Sequence, residues 1–123
     1  DIVLIGTSGS VPQDVVIVDN VFSGPAASVD CNLYLAGGSG MNGVIVQDNV
    51  FSGSLPALSS GAVVRFIDAT GCVGSTLSGN TFSDTGKTFG ATGDGAKIPT
   101  TMFMARNYQE KATSGSGEIF RTA

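Results

Sequence analysis

Apolar residues in this chain recur in short alternating runs, and the runs themselves recur. Val15-Val-Ile-Val-Asp-Asn-Val-Phe-Ser-Gly24 returns as Val44-Ile-Val-Gln-Asp-Asn-Val-Phe-Ser-Gly53 and, more loosely, as Ser75-Thr-Leu-Ser-Gly-Asn-Thr-Phe-Ser-Asp84. A fourth copy, Met102-Phe-Met-Ala-Arg-Asn-Tyr-Gln109, keeps the asparagine and loses the phenylalanine two places later. The aligned asparagines are Asn20, Asn49, Asn80 and Asn107, which sets a period of about thirty residues. Within each copy the apolar positions alternate, β-branched residues are frequent, Gly and Ser punctuate the runs, and no helical period appears. Further apolar runs precede each copy: Ile2-Val-Leu-Ile5, Leu33-Tyr-Leu35 and Val63-Val-Arg-Phe-Ile67. The pattern predicts an all-β chain with little or no α-helix and two or three short strands per repeat.

Repeats of this length suit a stacked architecture better than a propeller, whose four-stranded blades take more residues and must close a ring. The expected fold is a parallel β-helix of about four coils, each repeat one turn, with equivalent side chains laid in ladders. Strand parity counted from the asparagine assigns the faces. Ile17 and Val15, Val46 and Val44, Leu77 and Ser75, and Met104 and Met102 point inward, together with Phe22, Phe51 and Phe82. Asn20, Asn49, Asn80 and Asn107 follow a tight bend at Asp19, Asp48, Gly79 or Arg106. They suit an inward ladder whose amides bond one another and the turn backbone.

The run Ser75-Thr-Leu-Ser-Gly-Asn-Thr-Phe82 resembles the coils of the right-handed parallel β-helix, or pectin-lyase-like, superfamily. The similarity is good over residues 1–84 and weak over 97–123. It implies a single β-helical domain over 1–123, with regular coils in 1–84 and a divergent last coil and terminus in 98–123. Residues 85–97 break the period, are rich in Gly and Thr, and read as a protruding loop or a crossing to a different packing mode. Lyases, hydrolases, epimerases, phage tailspikes and adhesins share this architecture, so the resemblance speaks to fold and not to activity.

The opposite parity defines an outer face of Val16 and Val18, Ile45 and Gln47, Thr76 and Ser78, and Phe103 and Ala105. Val16, Val18, Ile45, Phe103 and Ala105 make this face apolar where a solvated sheet would be polar, so a partner is expected to cover it. Homotrimerisation, as the resemblance to viral tailspikes implies, buries such a stripe on every subunit. The spacing of Ile119-Phe-Arg121 from Asn107 suggests that a new coil opens there. Bare strand edges at the two ends predict capping by another chain, stacking on a neighbour, or excision from a longer polypeptide.

Composition removes several chemistries. The 123 residues carry no His and two Cys, a net charge of −4, and only 13% charged residues. Six scattered Lys and Arg offer no stripe for nucleic acid or anionic lipid, and no apolar run has the length for membrane insertion. Cys31 and Cys72 fall in different parts of their repeats, and a disulfide between them is neither required nor excluded. Asp19 and Asp48 occupy the same place in adjacent coils, with carboxylates expected about 5 Å apart, one strand spacing. Such a pair suits a raised pKa, a cation or retaining glycoside hydrolysis, whereas the simpler reading of Asp-Asn is turn chemistry. Arg65 is the one outward basic residue on a clear strand, and no lyase signature surrounds it. Gly86-Lys87-Thr88 lacks the upstream Gly of a phosphate-binding loop. No catalytic set, metal site or cofactor is assigned.

The expectation from these features is a noncatalytic structural or adhesive segment of a virion or extracellular appendage, trimeric, contacting cell-surface polysaccharide. Tyr34 and Tyr108 are the aromatics available to stack on sugar. The rivals are a fragment of a carbohydrate-active enzyme and a capsid-decorating or filament-building protein.

Overall fold

The computed structural model describes residues 2–5, 11–23, 31–36, 40–53, 55, 65–82, 89–90, 95–111 and 115–119. Among them the regular structure is all strand. In chain order these are Ile2–Ile5 (β1), Val16–Val18 (β2), Val21–Ser23 (β3), Cys31–Ala36 (β4), Ile45–Gln47 (β5), Val50–Ser52 (β6) and Arg65–Asp68 (β7), followed by Thr76–Ser78 (β8), Thr81–Phe82 (β9), Phe89–Gly90 (β10), Ala96–Lys97 (β11), Phe103–Ala105 (β12), Asn107–Lys111 (β13) and Gly115–Ile119 (β14). They form three sheets, ordered β1-β4-β7-β11-β10, β12-β8-β5-β2 and β14-β13-β9-β6-β3.

From β1 to β9, and again from β11 to β13, consecutive strands enter different sheets, while equivalent strands of successive repeats lie side by side and parallel. In the second sheet Val16 pairs with Ile45, Ile45 with Thr76, and Thr76 with Phe103. In the third, Phe22 pairs with Phe51, Phe51 with Phe82, and Phe82 with Gln109. This is the alignment of the sequence copies themselves. A slip of one residue would turn the row of Ile17, Val46, Leu77 and Met104 to water, and burial of that row locks the register.

The core lies between the sheets. Leu33, Leu35, Phe66 and Ile67 come from the first sheet, the Ile17 row from the second, and Phe22, Phe51 and Phe82 from the third. Full burial of a side chain of this size contributes about 1.5–3 kcal/mol. In β7 the alternation breaks, because Phe66 and Ile67 are adjacent and both buried. Val15, expected inside, is only half-buried.

Two segments differ from the linear reading. Within residues 85–97, read from sequence as a loop, Phe89–Gly90 and Ala96–Lys97 join the first sheet, and Ala96 pairs with Ile67. The fourth repeat therefore has its own first strand, too short to register as an apolar run. At the other end, Ile119 closes β14, which lies antiparallel to β13 with Ile119 opposite Asn107, instead of opening a parallel strand; Phe120 and Arg121 lie outside the described residues. Only three residues separate β13 from β14, and a chain that turns back so soon reaches its own preceding strand first.

Candidate functional site

The second and third sheets meet at a corner built by one residue per repeat. Asp19, Asp48 and Arg106 have φ of 57°, 53° and 51°, and Gly79 has 66°. This left-handed conformation is free for Gly, tolerated by Asp and strained for Arg. It reverses the facing of the strand, so that the next residue, always Asn, points into the stack. The corner amides stay paired across repeats: Asp19 N–H donates to Gln47 O at 3.3 Å, Asp48 N–H to Ser78 O at 3.0 Å, and Gly79 N–H to Ala105 O at 3.1 Å.

The asparagines bond in series. Asn20 donates both its backbone N–H and its Nδ2–H to Asn49 Oδ1, each at 3.0 Å. Asn49 does the same to Asn80 Oδ1, again at 3.0 Å. Asn80 repeats it to Asn107 Oδ1 at 3.1 and 2.9 Å. The second Nδ2 hydrogen reaches back to the preceding repeat, to Ile17 O from Asn49, Val46 O from Asn80 and Leu77 O from Asn107. Each inner amide thereby uses two donors and a doubly occupied acceptor, which is its full capacity. Asp would lack the donors, and a longer Gln would not reach with the same backbone. Asn49, Asn80 and Asn107 are completely buried; Asn20, first of the four, is exposed.

Two residues further on, the phenylalanine rings stack. Phe22 and Phe51 lie 4.7 Å apart at 7°, and Phe51 and Phe82 lie 4.8 Å apart at 9°. Phe66 of the first sheet tilts against both Phe51 and Phe82. The ring column ends where Gln109 takes the equivalent position.

Asp19 and Asp48 are brought to adjacent corner positions, and both are exposed. The Asp48 carboxylate lies over Gly79, its Oδ1 filling the space a Cβ there would need, and its Oδ2 accepts from Gln47 Nε2 at 2.9 Å. Asp14 lies over Gly43 in the same way at a second left-handed corner, between the first and second sheets. Asp68 caps its own turn, accepting from Thr70 N–H and Oγ1–H. These contacts are those of corner-holding side chains. Among the described residues no three His, Cys, Asp or Glu gather as a metal site. Arg65 is half-buried at the start of β7, opposite Cys31. No disulfide joins Cys31 to Cys72. Burial pushes the Cys72 thiol up to about 11, against a smaller opposing effect from its hydrogen bond with Ser75, so it stays protonated and unreactive at neutral pH.

The outer faces of the same strands carry the other feature. Val16 is 60% exposed and Phe103 57%, in one register row with Ile45 and with half-buried Thr76 between Ile45 and Phe103; Val18 is exposed beside them, while Ala105 is half-buried. Across the corner, where Asp19, Asp48 and Arg106 are exposed, the third sheet carries a second row, in which Val21 is 71% exposed and Val50 and Tyr108 are exposed on either side of half-buried Thr81. Sequence reasoning missed this second row. The parity rule finds it only when restarted at the asparagine, past the bend. Tyr34 is half-buried in β4.

No family model, no curated protein and no solved structure matches this chain.

Proposed function

We propose that the chain is a segment of a right-handed parallel β-helix serving a virion or cell-surface appendage as a noncatalytic structural and adhesive element, trimeric and in contact with host surface polysaccharide. The β-helical reading is supported by three sheets to which each of the first three repeats supplies one strand, the fourth adding β11, β12 and β13 in parallel. The trimer is supported by one observation above all, the mainly apolar exposed rows of Val16, Ile45, Thr76 and Phe103 and of Val21, Val50, Thr81 and Tyr108 on adjoining sheets. Apolar rows of this extent on parallel, rigid strands favour a covering partner, and a threefold assembly buries the same rows on every subunit. Continuous in-register stacking supplies stiffness along the axis, and the exposed Tyr108 offers a ring for a sugar face.

Sedimentation or light scattering at micromolar concentration tests the reading. The expected species is a trimer that Val16→Lys dissociates without unfolding, since Val16 lies outside the core; a strict monomer overturns it. A fragment of a carbohydrate-active enzyme is the second reading, favoured by the exposure of both Asp19 and Asp48 at adjacent corners. On that reading Asp48→Asn abolishes depolymerisation of a capsular or cell-wall polysaccharide; on the first, it leaves assembly and glycan contact unchanged.

A further inference from the structure

Six asparagines punctuate the chain, and only Asn42 is followed by glycine. A side chain on the following residue crowds the approach of its backbone nitrogen to the asparagine amide, and glycine leaves that approach open. The surroundings sharpen the difference. Asn32, Asn49, Asn80 and Asn107 are buried, and the last three are fixed in the ladder by their amides. Asn42 is exposed at the corner between the first and second sheets, and Gly43 carries the left-handed backbone of that corner, with φ of 68°.

The bonds at this corner leave the reacting groups free. Asn42 N–H donates to Gln13 Oε1 at 2.9 Å, its Nδ2–H donates to Gly40 O at 3.0 Å, and its carbonyl accepts from Asp14 N–H at 3.0 Å. Among the described residues the Gly43 N–H has no acceptor and Asn42 Oδ1 has no donor.

We propose that Asn42-Gly43 is a self-modifying site, at which the intact fold converts Asn42 selectively to aspartate and isoaspartate. The Gly43 nitrogen gives its proton to hydroxide and attacks Asn42 Cγ. A C–N bond forms, closing a cyclic imide, as the Cγ–Nδ2 bond breaks and the Nδ2 group takes up a proton and leaves as ammonia. Water then opens the imide. Addition at the side-chain carbonyl gives aspartate; addition at the backbone carbonyl gives isoaspartate, with the main chain rerouted through the former side chain. Either product loses the donor to Gly40 O and adds a negative charge at a corner where the Asp14 carboxylate already lies over Gly43. Isoaspartate also lengthens the backbone by a methylene and takes the carbonyl that pairs with Asp14 N–H out of the main chain. The corner is thereby loosened. This chemistry depends on neither the trimer nor the glycan contact, since Asn42 lies off both outer rows.

The test holds the folded protein at neutral and at mildly alkaline pH at physiological temperature and follows it by peptide mapping and by enzymatic methylation of isoaspartate. The mass change of amide-to-acid conversion is expected at Asn42, faster at the higher pH because the attacking nitrogen must first lose its proton. Its rate is expected to exceed by roughly tenfold or more that of Asn20, which is also exposed but precedes the β-branched Val21. Asp94, which also precedes a glycine, yields isoaspartate without that mass change and is told apart by it. The guanidinium-unfolded chain, run in parallel, gives the rate without the fold. No conversion of Asn42 in the folded protein over the time in which the unfolded chain converts, or conversion of Asn20 at the same rate, overturns the proposal. The modified fraction, separated by its added charge, is expected to unfold at a lower denaturant concentration than the unmodified protein; equal midpoints overturn the loosening of the corner.

Discussion

The second sheet and the first are built from the same four repeats and keep their register by different means. In the second sheet the partners Ile17, Val46, Leu77 and Met104 each stand three residues before a corner Asn, so the amide ladder and the strand ladder advance together. In the first sheet the partners Ile2, Leu33, Ile67 and Ala96 keep no fixed distance from the next Asn. The residues between absorb the difference. A polar ladder with only one satisfactory alignment pins the sheet beside it; a sheet held by apolar burial and backbone bonds tolerates variable spacing in its connections.

The comparison can be broken hardest at the shared core. Phe51→Ala removes the middle ring of the column and its contact with Phe66, and should cost about 3–5 kcal/mol in chemical denaturation. Next comes the ladder itself. Asn49→Leu leaves the Asn20 amide donors and Ile17 O facing a hydrocarbon, with an expected loss of about 1–3 kcal/mol. If its loss does not exceed that of a neutral surface substitution such as Gln47→Thr, the ladder does not hold the register.

The corner gives a subtler pair. Gly79→Ala should destabilise by about 1–2 kcal/mol, from the left-handed backbone and the collision with Asp48 Oδ1. Adding Asp48→Gly should recover only the collision part, and a thermal-melt double-mutant cycle separates the two. Arg106→Gly runs in the opposite direction, with an expected gain of up to about 1 kcal/mol at an exposed strained position. One residue inserted between Val46 and Asn49 should throw the amide ladder out of register and abolish cooperative unfolding, as denaturant titration would show.

Much of the site was legible because Asn-x-Phe recurs at a nearly constant spacing and because parity in a strand is strict. That rule placed Phe22, Phe51 and Phe82 inside, and Val16, Ile45 and Phe103 outside, before any coordinates. Asp19, Asp48, Gly79 and Arg106 were legible as bends for the same reason. The exposed row of Val21, Val50 and Tyr108 is less plain in the sequence, because the bend at the preceding residue resets the parity on which facing depends. Ala96–Lys97 and Gly115–Ile119 were not readable. Two residues carry no period, and a Gly-rich strand carries no apolar alternation.

Local pattern by itself determined the strands of the first three repeats, the period, the inward and outward rows beside the asparagine and the polar residue fit for a buried corner, since each follows from side-chain direction along an extended backbone. Only the tertiary structure decided that an Asp carboxylate lies over a glycine of the next repeat, that the last strand folds back antiparallel, and that Asn20 is left exposed while its three counterparts are buried. Those outcomes depend on what lies above and below each repeat, and a repeat's own residues do not encode its neighbours.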